Sequence, residues 1–215
     1  MLLATAAAPP FYKNGYVIGC ETTREAVVVD PGDEVEDLVR EAAERELDVK
    51  HILLTHAHLD HITGVARAKD AFDVPVYLHD ADRSLYDAVV QQGLMFGLAV
   101  QAQPAPDRSY TSGDVVRFGR YEVRVHHTPG HSPGGVCLQV GLAGEDGHDL
   151  FVGDTLFAGS IGRTDLPGGD YATLIRSVKT VLFAFPDDAR VYSGHGDPTT
   201  IGRERTTNPF LTYPL

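Results

Sequence analysis

Between Leu54 and Ile62 the chain reads Thr55-His56-Ala57-His58-Leu59-Asp60-His61, which packs three imidazoles and a carboxylate into six residues. In an extended segment, residues i and i+2 project to one side, so His56 and His58 can grip one cation between them. Asp60 and His61 follow where the chain turns toward a helix and can face a second ion beside the first. Polar residues that merely cap a strand-to-helix turn would account for Asp60 but not for three histidines. Three more candidates end strands in the same way: His131 after Thr128-Pro129-Gly130, Asp154 after Phe151-Val152-Gly153, and His195 after Ser193-Gly194. Each of these alone is equally well read as a cap or a satisfied polar residue. His127 lies four residues before His131, but Pro129 and Gly130 between them oppose a helical pair, so His131 is the candidate. The set of five histidines and two aspartates suits two borderline cations better than one, because zinc takes about four ligands and a catalytic ion keeps one position for water. Two such ions, about 3.5–4 Å apart, would share Asp154 and a hydroxide. His51, His79, His126 and His148 are expected to face solvent or satisfy local hydrogen bonds.

Strands must bring these residues to one edge. Apolar stretches at Met1 to Ala8, Tyr16 to Cys20, Ala26 to Asp30 and His51 to Thr55 read as strands, the last as one buried on both faces. Asp33 is the expected N-cap of a helix running to about Leu47. Ile62 to Phe72 and Asp80 to Val90 read as further helices, with a strand over Val74 to Leu78 between them. Gln91 to Asp107, rich in Gly and Pro around Leu94-Met95-Phe96, reads either as a lid with an apolar tip or as a loop anchored in the core by Met95 and Phe96. Strands over Val115 to Phe118, Tyr121 to Val125, Val136 to Val140 and Leu150 to Val152 precede a helix from about Tyr171 to Phe183 and a strand at Arg190 to Tyr192. The ends of parallel strands gather along one edge of a sheet, where residues distant in sequence converge.

The chain has 215 residues, 43% hydrophobic and 22% charged, which provides a full core and excludes disordered and mini-protein classes. Its net charge is −12, from 18 Lys and Arg against 30 Asp and Glu, and the basic residues do not cluster, so binding to nucleic acid is not expected. No apolar run approaches the roughly 20 residues that cross a bilayer, so no membrane partner is expected. Two distant cysteines, Cys20 and Cys137, give neither a disulfide framework nor a thiolate zinc cluster and fit a reduced, cytoplasmic protein.

The His56 to His61 run, followed in order by His131, Asp154 and His195, resembles the metallo-β-lactamase superfamily over nearly the whole chain. Within it, the chain is most similar to glyoxalase II, the hydroxyacylglutathione hydrolases, in their short bacterial form. Val29-Asp30-Pro31-Gly32, Thr128 to Gly134, Gly153-Asp154-Thr155-Leu156-Phe157, Gly194-His195-Gly196 and Asn208-Pro209-Phe210-Leu211 also carry the likeness. The resemblance implies an α/β protein, an αββα sandwich, forming a single domain over residues 1–215 with a dinuclear metal site at one edge of its two sheets. The C-terminal helical domain of full-length glyoxalase II is not expected, since only about twenty residues follow His195, and a shallower glutathione site goes with that.

By the same resemblance His56, His58 and His131 would hold one ion and Asp60, His61 and His195 the other, with Asp154 bridging and Asp60 and Asp154 taken as catalytic. Asp30 would support the site from behind or, equally, make an Asx-type turn before Pro31. Two divalent ions are implied, zinc first, with iron or manganese as alternatives. A metal-bridging hydroxide would attack a glutathione-type thioester such as S-lactoylglutathione, and a thiolate with a pKa of about 8.5 leaves without a strong acid. Two cations would locally reverse the acidic field where an anionic thioester approaches. Arg163 would bind a substrate carboxylate or simply pair with Asp165. Gly162-Arg163-Thr164-Asp165 also resembles the mono-iron persulfide dioxygenases, and a lactamase or lactonase shares the donor set. The expected partner is a small-molecule thioester, acting on a monomer or small homo-oligomer.

Overall fold

Alternating burial decides the layers. Within Glu25–Val29, Val27 and Val29 join one apolar cluster while Ala26 and Val28 join another, and all four are buried. Phe151 separates in the same way from Leu150 and Val152. A strand buried on both faces needs an apolar layer on each side.

The computed structural model describes residues 1–212 and supplies those layers as two six-stranded sheets packed face to face between helices, the expected αββα sandwich. Residues 213–215 of the expected domain lie outside the described residues. The first sheet runs, in spatial order, β1 (Leu2–Ala8), β2 (Lys13–Gly19), β3 (Glu25–Val29), β4 (Asp48–Leu53), β5 (Val76–Leu78) and β6 (Arg108–Ser109), with β3 to β6 parallel. The second contains β7 (Val115–Phe118), β8 (Tyr121–His127), β9 (Val136–Leu142) and β10 (Asp149–Gly153). After the hairpin of β11 (Leu156–Phe157) and β12 (Ser160–Ile161), β13 (Arg190–Ser193) and β14 (Thr199–Thr200) complete it, in the order β14-β13-β10-β9-β8-β7. Only β10 and β13 pair in parallel there.

The cluster between the sheets holds Tyr16, Ile18, Val29 and Leu53 against Phe118, Val123, Leu138 and Phe151. Helices α1 (Val35–Glu44), α2 (Leu59–Ile62), α3 (Val65–Phe72), α4 (Arg83–Asp87) and α5 (Val89–Met95) cover the outside of the first sheet. The second is covered by α6 (Tyr171–Thr180), α7 (Ile201–Thr207) and α8 (Pro209–Thr212). Cys20 and Cys137 are buried and unpaired. No described helix is long and apolar enough to cross a membrane.

Several expectations differ from this arrangement. Asp33 does not cap α1: its carboxylate accepts from the Thr63 hydroxyl, and Glu34 occupies the cap position without a side-chain cap bond. The helix expected over Ile62 to Phe72 begins earlier and breaks at Gly64, where a side chain would collide with the carbonyls of Pro31 and Gly32. The helix expected over Asp80 to Val90 divides into a 3-10 turn, α4 and α5, and α5 runs to Met95, inside the segment expected to be loop. Gly93 is tolerated there because Leu98 to Val100 folds back against it and leaves no room for a side chain. Met95 and Phe96 are exposed, so they do not anchor that segment in the core.

Candidate metal centre

Parallel pairing carries the carboxyl ends of β3 and β4 to one edge of the first sheet, and those of β10 and β13 to the adjoining edge of the second. Asp30, the His56 to His61 run, Asp154 and His195 therefore meet across the seam, and the loop after β8 adds His131. An isolated bridge between Lys13 and His195, with Asn14 N–H donating to the Gly194 carbonyl, ties the two edges together.

All seven expected residues converge, in two groups of three around Asp154. His56, His58 and His131 are buried, with His131 Nε2 at 2.7 Å from His58 Nδ1 and 3.2 Å from His56 Nε2. In the second group His195 Nε2 lies 3.1 Å and His61 Nε2 3.7 Å from Asp60 Oδ2. The Asp154 carboxylate stands between them: Oδ2 is 3.5 Å from His131 and 3.6 Å from His195, and Oδ1 is 3.3 Å from His61. In each group the three donor atoms lie within 4.8 Å of one another, a spacing that one cation can satisfy.

Outer hydrogen bonds turn the ring lone pairs inward. His131 Nδ1 donates to the Arg163 carbonyl at 2.7 Å, leaving Nε2 as an acceptor in the neutral ring. Thr55 gives its one hydroxyl proton to Asp30, so it can only accept from His56 Nδ1, and His56 Nε2 is left bare. His61 Nδ1 donates to Asp30 Oδ2 at 2.9 Å. His61 Nε2 and Asp154 Oδ1 are both buried without a hydrogen-bond partner, the pattern of atoms awaiting a cation. Bare imidazole nitrogens and carboxylate oxygens are the donor chemistry that zinc, iron and manganese accept, so the residues fit the implied metals.

Charge divides the two groups. Burial, reinforced by the neighbouring histidines, lowers His56 far below the ordinary range; burial and His131 lower His58 to about 3. Burial would lower His61 too, but Asp60, Asp154 and Asp30 outweigh it and push it up to about 10. Burial raises Asp60 and Asp154, yet the facing histidines win and hold both below the usual carboxylate range. A proton on His61 and a cation in its group thus compete for one lone pair.

The family model described as the metallo-beta-lactamase superfamily matches residues 8–195, a span that includes every one of these donors. The chain belongs to that superfamily. A hydroxyacylglutathione hydrolase GloC of Haemophilus influenzae is 38% identical over 190 residues, covering 87% of this chain and 88% of its own. Among solved structures, the BLEG-1 B3 metallo-beta-lactamase superposes with a TM-score of 0.89 at 38% identity, covering 99% of this chain and 100% of that one. TTHA1623 in a di-iron-bound form superposes at 0.85 with 42% identity, covering 97% and 100%. The donor set and the family place the chain among the metal-dependent hydrolases of the metallo-beta-lactamase superfamily.

The metallo-beta-lactamase donors of this chain are held by residues that carry no motif. Asp82, fully buried at the start of the α4 segment, accepts from Ala57 N–H at 3.0 Å, the Ser132 hydroxyl at 2.8 Å and Gly134 N–H at 2.5 Å. It thereby clamps the loop of His56 and His58 to the loop of His131, and burial raises its pKa. Gln92 on α5 accepts from Leu59 N–H and donates to the carbonyls of Ala57 and Leu85. The buried Lys13–Glu34 ion pair fixes the Asp30 to Gly32 turn, with Lys13 donating to the Asp30 carbonyl and Glu34 accepting from Gly32 N–H. Asp30 supports the site rather than making an Asx turn: Thr55 N–H, the Thr55 hydroxyl and His61 all bond its carboxylate, and its backbone adopts φ +50°. Gly194 is required because a side chain there would strike Asp154 and His61.

The four histidines set aside do find other partners: His51 with the Arg117 carbonyl, His79 with Ala81 N–H, His126 with Gln139, and His148 near Asp188. His127 bonds the Pro133 carbonyl and stacks on His79, away from the donors. Arg163 pairs with Asp165 through two bonds of 2.8 and 2.7 Å while also lining the cleft above the donors.

Proposed function

We propose that the protein is a dinuclear thioester hydrolase of the glyoxalase II kind, with a glutathione-type thioester such as S-lactoylglutathione as its substrate class. The observation that carries this reading is the pair of donor groups on either side of Asp154 in an open cleft that Arg163 also lines. The similarity to a protein named hydroxyacylglutathione hydrolase supports the same choice. His56, His58 and His131 would hold one divalent ion, and Asp60, His61 and His195 the second, with Asp154 between; zinc is the first choice, and iron or manganese suits the same donors. Bound there, such ions would supply a water ionised near neutral pH and a Lewis acid for the thioester carbonyl.

The chain's own residues supply positioning. Asp60 and Asp154, held ionised by the histidines, accept hydrogen bonds from the attacking water and fix its orientation. Arg163 would offer its guanidinium, now paired with Asp165, to a carboxylate of the thiol portion. No general acid is needed at sulfur, since the departing thiolate is stable near neutral pH.

The test is metal analysis of the purified protein coupled to a panel of S-lactoylglutathione, glutathione persulfide, a penicillin and an acyl-lactone. Two ions per chain with the thioester turned over fastest is the expected result. One iron per chain with oxygen consumed on the persulfide would replace the reading with a dioxygenase, and a faster lactam or lactone would move it to those hydrolases.

A further inference from the structure

The cleft above the donors, about 150 Å³, has Phe11, Leu59, Phe96 and Leu166 in its walls beside His58, Asp60, His131, Asp154 and His195. A small side pocket of about 30 Å³ adjoins it, sharing His58, Gln92, Phe96 and Leu166 and adding Leu85, Met95 and Pro167. Its apolar residues arrive from separate places: α4, the end of α5, and the loop after Arg163. Phe96 meets Phe11, from the turn between β1 and β2, edge to face at 5.8 Å, so two aromatic rings close over one side of the donors. Leu94, Met95 and Phe96 are 70, 63 and 42% exposed, so this apolar tip is not consumed by the core. Contiguous exposed apolar surface beside a polar reaction centre marks a ligand contact.

We infer that the side pocket is an acyl-group subsite, and that the preferred substrate carries an apolar acyl chain rather than a hydroxylated one. This rests on the thioester hydrolase reading and specifies the substrate class for that site. His58 lines both the cleft and the side pocket, so a chain attached to a carbonyl carbon held at the donors lies beside the pocket. The larger, charged thiol portion is left the open side of the cleft, toward Arg163. Inside the pocket the Gln92 amide is occupied by Leu59, Ala57 and Leu85, and the side chains of Leu85, Met95, Phe96, Leu166 and Pro167 offer an acyl hydroxyl no hydrogen bond, which leaves the buried, unpartnered His58 Nε2 as the one polar atom beside it. Burying a hydroxyl without a partner is unfavourable, whereas each buried methylene contributes about 0.8 kcal/mol, or about fourfold in kcat/KM.

The test uses the zinc-loaded full chain with acetyl-, propionyl-, butyryl-, hexanoyl- and lactoyl-glutathione. Each kcat/KM is divided by the rate of the same thioester in hydroxide solution, to remove intrinsic reactivity. The normalised value should climb about two- to fourfold per methylene up to butyryl, and propionyl should exceed lactoyl. In Phe96→Ser, and separately in Met95→Ser, the hexanoyl-to-acetyl ratio should fall at least fivefold; both residues are exposed, so folding is not at stake. A binding arm uses the uncleavable thioethers S-methyl- and S-hexylglutathione in calorimetry, with the hexyl compound expected to bind at least tenfold more tightly and Phe96→Ser to remove that gain. Hydrolysis of all acyl groups at one normalised rate, or a rate that follows the apolarity of the thiol instead, overturns the subsite and leaves the hydrolase standing. If no thioester is cleaved the hydrolase reading fails, and equal binding of the two thioethers would then overturn the subsite independently.

Discussion

The two donor groups are neighbours built for opposite electrostatic tasks. His56, His58 and His131 form a buried cage of imidazoles, two of which, His56 and His58, are lowered by burial so that protons do not compete for those rings. Asp60, His61 and His195 form an anionic group with an exposed flank, where His195 keeps a side-chain exposure of 33% and His61 is raised to about 10. At His56 and His58 a cation has no proton to displace, whereas at His61 it must replace one. The difference teaches that metal loading of the two should respond differently to pH and to mutation, with Asp154 as the one residue whose loss affects both.

The largest effect should follow from removing that shared carboxylate. Asp154→Ala is expected to lower thioester turnover by about a thousandfold or more, the several kcal/mol that metal assistance supplies, and to reduce bound metal below two ions per chain. His58→Ala should abolish turnover as well, but leave the anionic group able to take an ion. Either variant with unchanged turnover would break the two-group account.

Next in size are the supports, which separate the groups. Asp82→Asn turns one acceptor into a donor facing N–H or O–H groups, so it should weaken metal binding in the imidazole cage about 10- to 100-fold, while Asp30→Asn should do the same to the group of His61, with a smaller loss relayed to His56 through Thr55. Competition with a chromophoric chelator reads the two affinities, and loss from the same site in both variants would contradict the assignment.

A smaller effect concerns pH. In the folded, metal-free chain His61 keeps its proton up to about pH 10, whereas in the unfolded chain a histidine releases it near 6.5. The folded state therefore binds the extra proton across that window, and its stability falls as pH rises from about 6.5 to 10. Melting temperatures of chelator-stripped protein should decline between pH 7 and 10, and those of zinc-loaded protein should decline less, because the cation replaces the proton. Parallel declines would mean that His61 does not exchange a proton for metal. The smallest effect belongs to Arg163→Ala, which should raise KM several-fold for a glutathione thioester with kcat little changed.

Much of this was legible in the chain. The crowding of His56, His58, Asp60 and His61 has no simpler explanation than metal, and the apolar run closed by Pro31-Gly32 marks Ala26 to Asp30 as a strand. His131, Asp154 and His195 are individually ambiguous; their shared place at strand ends brings them together, and the family resemblance divides them between two ions. Asp82, Gln92 and the Lys13–Glu34 pair were not legible, because their importance comes from bonds spanning 21 to 52 residues in sequence and not from any local pattern. The break at Gly64 was hidden for the same reason: the obstacle is the Pro31-Gly32 turn, brought against it by the fold. The helix α7 escaped notice because it is only seven residues long and Gly202, Thr206 and Thr207 blur its period. Its start nonetheless carries a signal, the Thr200 hydroxyl accepting from Arg203 N–H.

The central claim is that two ions bind per chain, in two groups joined by Asp154. Zinc titration of the chelator-stripped protein, followed by elemental analysis after gel filtration, tests it most directly. Saturation is expected at two zinc ions per chain, with the ion of the His61 group released first as the pH is lowered. Saturation at a single ion, with His61→Ala leaving that stoichiometry unchanged, would contradict it.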